Sequence, residues 1–494
     1  MLTFDGLSAN RMSLYGNERP TTPVMDELAK TSYVFENMHA EADNTVQSIS
    51  AMQTGLHYSG AALPRLGNSL AGGNTVGYMP RVFDALGWES VYVLYGSNLH
   101  LGRGKIFTFL SPYNDLPDRL RQNVYGTKFQ QHLLSLSGRN YPFSSGWIFA
   151  LYNQNFSRSV SRFSQWFGIQ SEHYTPPERV AGPGSDKYAP TLDYLEHKDK
   201  PAFLWMHQWA PHQPYIRNDG LFLDDPSVTY EQILADGSFV WNGPPLDPKY
   251  EPAAKKLRLL SEEYIVSADV ALGRFLDILK NNGLFDNSML IISADHGQAF
   301  EKGDMFHLTG VMYEQTARIP LIIHMPGQTK GKRIKTLAQH TDLMPTVLDT
   351  LGMPVPDWME GASLWKYIEQ EQRAPIARTT FSQAIPEGLS FAKTDDAGQL
   401  NTFLVYKGDY KLIYRFYANR RFEEVDPPEG KGTRRFIERY PQVELFNLKT
   451  DPHEDHNMAD TRPEIRDELV ALARERIEKT RTRRALDSSV NIRQ

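Results

Sequence analysis

The feature that most constrains this chain is residues 290–297, Leu-Ile-Ile-Ser-Ala-Asp-His-Gly. An apolar, β-branched run of this length reads as a short buried strand. It stops abruptly at an acid, an imidazole and a glycine. In an open α/β sheet, ligands collect beyond the carboxyl ends of the strands. Asp295 and His296 stand where such a strand ends, and Gly297 lets the backbone turn sharply there. A carboxylate beside an imidazole is half of a metal site. The same three residues also suit a solvated turn, so the reading depends on where other candidate ligands fall.

They fall at other strand and helix ends. Residues 2–5 read as a strand ending in Asp5, and 22–30 as a helix with Thr22 at the N-cap and Pro23 at its first position. A strand is expected at 34–38. A helix follows at 45–54, with Thr45 at its N-cap and Gly55 past its end. Helix 81–86 leads to strand 90–95, and strand 202–206 runs into His207 and His212. An amphipathic helix over 264–280, with Val266, Val270, Leu272, Phe275, Leu276 and Leu279 near one stripe, precedes the Asp295 strand. Strand 320–324 and helix 343–351 complete the series. Alternating strands and helices predict a doubly wound, mostly parallel α/β sheet flanked by helices. After residue 378 strand-like runs (402–406, 410–414, 443–448) come without intervening helices and end in a helix over 463–477. That predicts a small antiparallel sheet with one helix. The expected domains are 1–378 and 379–494, with 97–190, rich in aromatics and arginines, as a variable insertion or substrate-selecting cap.

Composition narrows the function. The chain has 494 residues, 40% hydrophobic and 23% charged, as in a soluble globular protein. A net charge of −6 gives no reason to expect a nucleic-acid partner. The absence of cysteine excludes disulfides, thiolate metal sites and a cysteine nucleophile. No apolar run approaches the ~18 residues of a membrane span, and no signal-peptide pattern is present. The lead into Asp5 is short for a first strand. One explanation is that the chain is a soluble piece of a longer protein, with a membrane anchor upstream as one form of it. That form implies the periplasmic or extracytoplasmic face, and otherwise a cytoplasmic location.

Asp5, Thr45, Asp295 and His296 are thus expected along one carboxyl edge of a parallel sheet. Two acids, an imidazole and a hydroxyl suit one divalent cation, Zn, Mn or Mg, with Ca a poorer match. A threonine there has two uses. Its alkoxide is stabilised by the metal, and the helix it begins offers free N–H groups to an anion. A tetrahedral oxyanion ester, phosphate or sulfate, is the natural substrate.

Several ordered motifs carry a family resemblance. Asp5-Gly6-Leu7, Leu14-Tyr15-Gly16 and residues 22–29 (Thr-Pro-Val-Met-Asp-Glu-Leu-Ala) resemble the start of the sulfatase family, within the alkaline phosphatase superfamily. So do Ser293-Ala294-Asp295-His296-Gly297 with the following His307, Met312-Tyr313-Glu314 and 318–322. Residues 209–215 (Trp-Ala-Pro-His-Gln-Pro-Tyr) resemble its Asp-Pro-His-x-Pro-Tyr turn. Residues 339–346 resemble its late strand-to-helix motif, and 444–452 the strand and turn of its C-terminal subdomain. The departures bear on the chemistry. The Cys/Ser-x-Pro-x-Arg context that yields formylglycine is occupied here by Thr45, Gln47 and Ile49, and the second acid common in sulfatases is Gly6.

Thr45 resembles instead the nucleophile of the branch that moves phosphoethanolamine or phosphoglycerol from phospholipids to glycans. That resemblance implies one metal held by Asp5, Thr45, Asp295 and His296. It implies a phosphodiester or phospholipid-headgroup substrate and a covalent phospho-threonine intermediate. His212 and His307 are expected to hold non-bridging oxygens or protonate the leaving group, and His207 to join them in binding. His340 reads as a helix-start or structural residue, and His100 as a weak candidate. The competing readings are a sulfuric ester hydrolase, a non-catalytic binding module, and a two-metal phosphatase or phosphodiesterase.

Overall fold

The computed structural model describes residues 1–57, 79, 82–83, 86, 88–94, 201–208, 210–213, 215, 219–237, 250–307, 309–370, 378–384, 400–417 and 440–491. The insertion expected at 97–190, with His100, lies outside them. In chain order the first elements are β1 (Leu2–Phe4), α1 (Pro23–Ala29), β2 (Tyr33–Phe35), β3 (Met38–His39) and α2 (Thr45–Thr54). They are followed by β4 (Glu89–Leu94), β5 (Ala202–Gln208), α3 (Tyr230–Gly237), α4 (Glu251–Asn281) and β6 (Leu290–Ala294). Next come α5 (Glu314–Ala317), β7 (Arg318–Ile319), β8 (Leu321–His324), β9 (Lys332–Ile334), β10 (Ala338–Gln339), α6 (Leu343–Thr350) and α7 (Trp365–Gln370). The chain closes with β11 (Thr379–Ala384), β12 (Leu400–Lys407), β13 (Tyr410–Tyr417), β14 (Val443–Asn447) and α8 (Pro463–Asn491).

These elements form two compact units, 1–2 with 63–209 and 273–285, and 3–62 with 210–272 and 286–494. In the smaller unit β4 and β5 pair in parallel, Glu89 opposite Ala202. In the larger, the sheet order is β1-β6-β8-β2-β9. The architecture is the expected α/β one, with one refinement: β8 runs antiparallel to both β6 and β2. Residues 34–38, expected as one strand, divide into β2 and β3. β3 joins a separate three-stranded sheet with β7 and β10.

α4 starts at Glu251, thirteen residues earlier than expected. Pro252 sits in its first turn, where a missing N–H costs nothing. Leu257, Leu260 and Tyr264 extend the apolar face and pack with Tyr215, Phe300 and Phe306. Val270, placed on that stripe from the sequence, is exposed, because a 3.6-residue period starting from Leu272 and Phe275 turns it outward.

The C-terminal sheet β11-β12-β13-β14 is antiparallel throughout. Strand alternation divides its two faces. Phe403, Val405, Leu412, Tyr414 and Leu445 meet Leu469, Ala473 and Ile477 of α8. Leu404, Tyr406, Ile413 and Phe446 meet Val311, Met312, Tyr313 and Ala317. The second face therefore covers the segment that follows His307. Among the described residues, no helix is long and apolar enough to cross a membrane.

Candidate active site

β6 ends at Ala294, and Asp295 and His296 follow it, fully buried. Gly297 is required there by space: a Cβ would meet the Gln315 carbonyl at 2.3 Å. The Gly297 N–H donates to the Thr316 carbonyl at 2.8 Å, which turns the chain. Asp295 Oδ1 accepts the His296 N–H at 2.7 Å and the Gly6 N–H at 3.1 Å. This fixes the carboxylate and brings the residue after Asp5 beside it.

His296 Nδ1 lies 2.9 Å from the Gly297 carbonyl. A carbonyl only accepts, so Nδ1 carries a proton, and in the neutral ring Nε2 is the nitrogen that offers a lone pair. Nε2 lies 3.5 Å from Asp5 Oδ1, 3.5 Å from Asp295 Oδ2 and 3.4 Å from Thr45 Oγ1. Burial disfavours charge on His296, yet Asp295, Asp5, the Gly297 carbonyl and Asp43 together hold its pKa above the ordinary value.

The donor set fits a divalent cation. One ligand atom each from Asp5, Asp295 and His296 lie within 4.8 Å of one another. An ion bonded at about 2.1 Å in tetrahedral geometry separates neighbouring ligands by about 3.4 Å. The separations about His296 Nε2 match that edge. A ring nitrogen held as an acceptor by a backbone carbonyl on its other side is how imidazole is oriented toward a metal.

Thr45 is the first residue of α2 and not its N-cap, which corrects the sequence-based placement. Asn44 does the capping: its Oδ1 accepts the Gln47 N–H at 3.3 Å and its carbonyl accepts the Ser48 N–H at 3.1 Å. Asn is as good a cap as threonine. The displacement leaves the Thr45 hydroxyl for His296 Nε2.

His212 and His307 reach the same cluster. His212 Nδ1 donates to the Gln213 carbonyl at 2.5 Å. Its Nε2 is therefore an acceptor, 3.9 Å from Asp5 Oδ1 and 3.4 Å from His307 Nε2. The His307 ring stacks on His296 with centroids 4.5 Å apart. Burial lowers the pKa of His212; burial and then the His296 and His212 imidazoles lower that of His307 well below the ordinary value. Six of the seven predicted site residues thus lie in the larger unit, close to one another. The seventh, His207, is buried near the end of β5 in the smaller unit.

Two features of the site escaped sequence reasoning. His340 Nδ1 accepts the Glu41 N–H at 3.0 Å and its Nε2 donates to the Ala294 carbonyl at 3.0 Å. It is a structural residue, as expected, but the structure it holds is the approach to Thr45 against the approach to Asp295. Asp43, two residues before Thr45, accepts the Gly310 N–H at 2.7 Å. Burial raises the pKa of Asp43, while burial and then Asp43 push the Asp304 carboxyl up to about 7. The signal for Asp43 was its place two residues before Thr45 and for His340 its place at a helix start, and neither reveals partners some 270–300 residues away.

The sulfatase family model matches residues 1–353, and a model for the C-terminal part of N-sulphoglucosamine sulphohydrolase matches 305–429. Arylsulfatase K of Xenopus laevis is 24% identical over 360 residues, 71% of this chain and 58% of that protein, so the chain spans little more than half of that relative. An arylsulfatase of Clostridium perfringens is 23% identical over 479 residues, 87% of this chain and 88% of that one. A solved phosphonate monoester hydrolase from Silicibacter pomeroyi has a TM-score of 0.62 at 17% identity, covering 98% of this chain and 94% of that one. A structure solved in complex with its substrate D-glucosamine-2-N,6-O-disulfate gives 0.59 at 16% identity, covering 98% and 97%. At such identities the structural likeness speaks for the fold. With the family model spanning most of its length, the chain belongs to the sulfatase family.

Proposed function

We propose that this chain is a metal-dependent hydrolase or transferase that acts on a phosphodiester through Thr45 and a covalent phospho-threonine intermediate. The observation that carries this reading is a threonine hydroxyl 3.4 Å from His296 Nε2 in a chain without cysteine. Threonine cannot give the aldehyde that cysteine or serine gives, so the hydroxyl itself is the available nucleophile. Asp5, Thr45, Asp295 and His296 would hold one divalent ion, which when bound stabilises the alkoxide and offsets charge on the phospho group.

The remaining steps belong to the side chains. Thr45 Oγ1 attacks phosphorus and its proton passes to the neutral His212–His307 pair. That pair returns it to the departing alkoxide as the P–O bond breaks. Water or an acceptor hydroxyl then attacks the phospho-threonine in line, regenerates Thr45 and releases the phospho group as hydrolysis or transfer product. The depressed pKa values of both rings, set first by burial, keep the pair neutral at neutral pH, so that a proton taken from Thr45 passes on readily to the departing alkoxide. A phospholipid headgroup donor and a glycan acceptor are the substrates to try first, with water as the alternative acceptor.

Sulfate ester hydrolysis is the second reading, because both sequence relatives described above are named arylsulfatases. Side-by-side turnover of a nitrophenyl phosphodiester and a nitrophenyl sulfate separates them. The expected result is preference for the diester, and a loss on the order of 1,000-fold or more in Thr45→Ala. Preference for the sulfate, or near-normal turnover in Thr45→Ala, overturns the proposal.

A further inference from the structure

We propose that the side-chain amide of Gln213 is a substrate-binding group of this site, its Nε2–H donating to a non-bridging oxygen of the phospho group. The inference deepens the phosphodiester reading and rests on it.

The orientation of this amide follows from a chain of buried donors. Tyr215 Oη donates to Gln298 Oε1, which makes the other end of that carboxamide its nitrogen. Gln298 Nε2 in turn donates to Gln213 Oε1. The end of Gln213 left over in this arrangement is the NH2 group. Gln298 is itself pinned at the backbone, where its N–H donates to Ser8 Oγ at 2.9 Å. Gln213 is fully buried, and its Nε2 has no hydrogen-bond acceptor among the described residues. Buried N–H donors are almost always paired, so one that is oriented and unpaired asks for a ligand.

The location points to the same ligand. The Gln298 carboxamide lies against Gly6: a Cβ on Gly6 would stand 2.7 Å from Gln298 Nε2. Gly6 has φ +77° and gives its N–H to Asp295 Oδ1. The Gln213 amide is thus one hydrogen bond from a group touching the backbone that joins Asp5 to Asp295. On its other side it is adjacent in the chain to His212, whose Nε2 is 3.9 Å from Asp5 Oδ1. Two neutral carboxamides line this wall of a site rich in carboxylates. A neutral N–H donor there attracts an anionic phosphoryl oxygen, where another carboxylate would repel it.

The test uses the whole chain, a nitrophenyl phosphodiester as substrate, and inorganic phosphate as the binding probe by calorimetry. Gln213→Glu keeps the oxygen that Gln298 needs and replaces only the donor. Gln213→Met removes the donor without adding charge. Losing a hydrogen bond to a charged oxygen is expected to lower kcat/KM roughly 10- to 100-fold and to weaken phosphate binding by a similar factor in both variants. Phosphate affinity within twofold of the unmodified chain in Gln213→Met overturns the inference, and so does an effect confined to Gln213→Glu, which reports charge alone. If Gln213→Glu does not fold, the methionine variant decides. If the unmodified chain turns over no diester, the proposed function falls while the phosphate titration still judges Gln213.

Discussion

Replacing His340 tests how the two halves of the site are kept in register. Its fully buried ring joins the Glu41 N–H, four residues before Thr45, to the Ala294 carbonyl, one residue before Asp295. Burial pulls its pKa down to about 3, so the ring is neutral and its donor and acceptor are fixed. His340→Ala strands one N–H and one carbonyl in a dry interior and leaves a cavity, a cost of roughly 3–6 kcal/mol. That is large enough to obscure an effect on rate. His340→Asn and His340→Gln divide the problem. The asparagine oxygen stands in for the Nδ1 acceptor and the glutamine nitrogen for the Nε2 donor, so each keeps one bond and loses about 1–3 kcal/mol. Letting Thr45 drift by about 1 Å from Asp295 and His296 costs on the order of 100-fold in rate. Urea unfolding gives the first number, and kcat and KM on a nitrophenyl phosphodiester give the second. Both variants should fold, hold KM and lose kcat by about 10- to 100-fold. A variant that loses about 2 kcal/mol of stability with kcat unchanged refutes the argument, since His340 would then be packing alone.

Three other outcomes follow from the same geometry. Glu360 accepts both Nη atoms of Arg476, at 2.7 and 2.8 Å, and the His57 N–H at 2.9 Å. Burial would raise its pKa, but Arg476 and His57 outweigh burial and hold it at about 2 against an ordinary 4.5. The folded value is the lower one, so its stabilisation is complete above pH 4.5 and is lost as pH falls from 4.5 to 2. That amounts to roughly 3 kcal/mol, and Glu360→Gln should flatten the stability curve over this window. Lys411→Met strands the Glu314 and Glu454 carboxyls, which lie 2.9 and 2.7 Å from its Nζ. It should cost about 3–5 kcal/mol by urea unfolding, and a cost under about 1 kcal/mol would show that the carboxyls find other partners. Dialysis against a chelator should abolish turnover and lower the melting temperature, with both restored by Zn or Mn. At an ion concentration of about 100 Kd the ion contributes about 2.7 kcal/mol, and a chelated protein that melts unchanged and still turns over would remove the metal from the mechanism.

What was legible in the sequence was what local pattern encodes. β1 and β6 are short apolar runs that end in acids, so their residue types alone place Asp5, Asp295 and His296 at strand ends. His212 and His307 stand out by motif. The exact cap of α2 was not legible, because Asn44 and Thr45 are adjacent and both cap well; only the Asn44–Gln47 bond decides between them. The first half of α4 was missed because residues 251–263 carry many charges and a proline, which mask a stripe of Leu257, Leu260 and Tyr264. Lys411 and Arg415 are the sharpest case. On a strand, cations read as solvent-facing, yet both are fully buried. Their carboxylate and carbonyl partners come from other segments, and no local pattern announces such partners.

Those two cations give the C-terminal sheet a part in the site. Lys411, Ile413 and Arg415 alternate onto the face of β13 that covers Val311 and Met312. Lys411 Nζ donates to the Met312 carbonyl at 2.9 Å, and Arg415 Nη2 to the Val311 carbonyl at 3.2 Å. Arg415 Nη1 is paired with Glu444 at 2.5 Å, whose other oxygen takes the Tyr313 hydroxyl at 2.9 Å. The backbone just after His307 is therefore held by charged groups that have nowhere else to go, since withdrawing either cation leaves a buried carboxylate unpaired. Asp43 holds the same loop from the Thr45 side through the Gly310 N–H. An irregular loop carrying His307 would otherwise be the most mobile part of the cluster. Tied at 310, 311 and 312 to two different segments, it holds the imidazole beside His212, as the proposed proton transfer between the two rings would require.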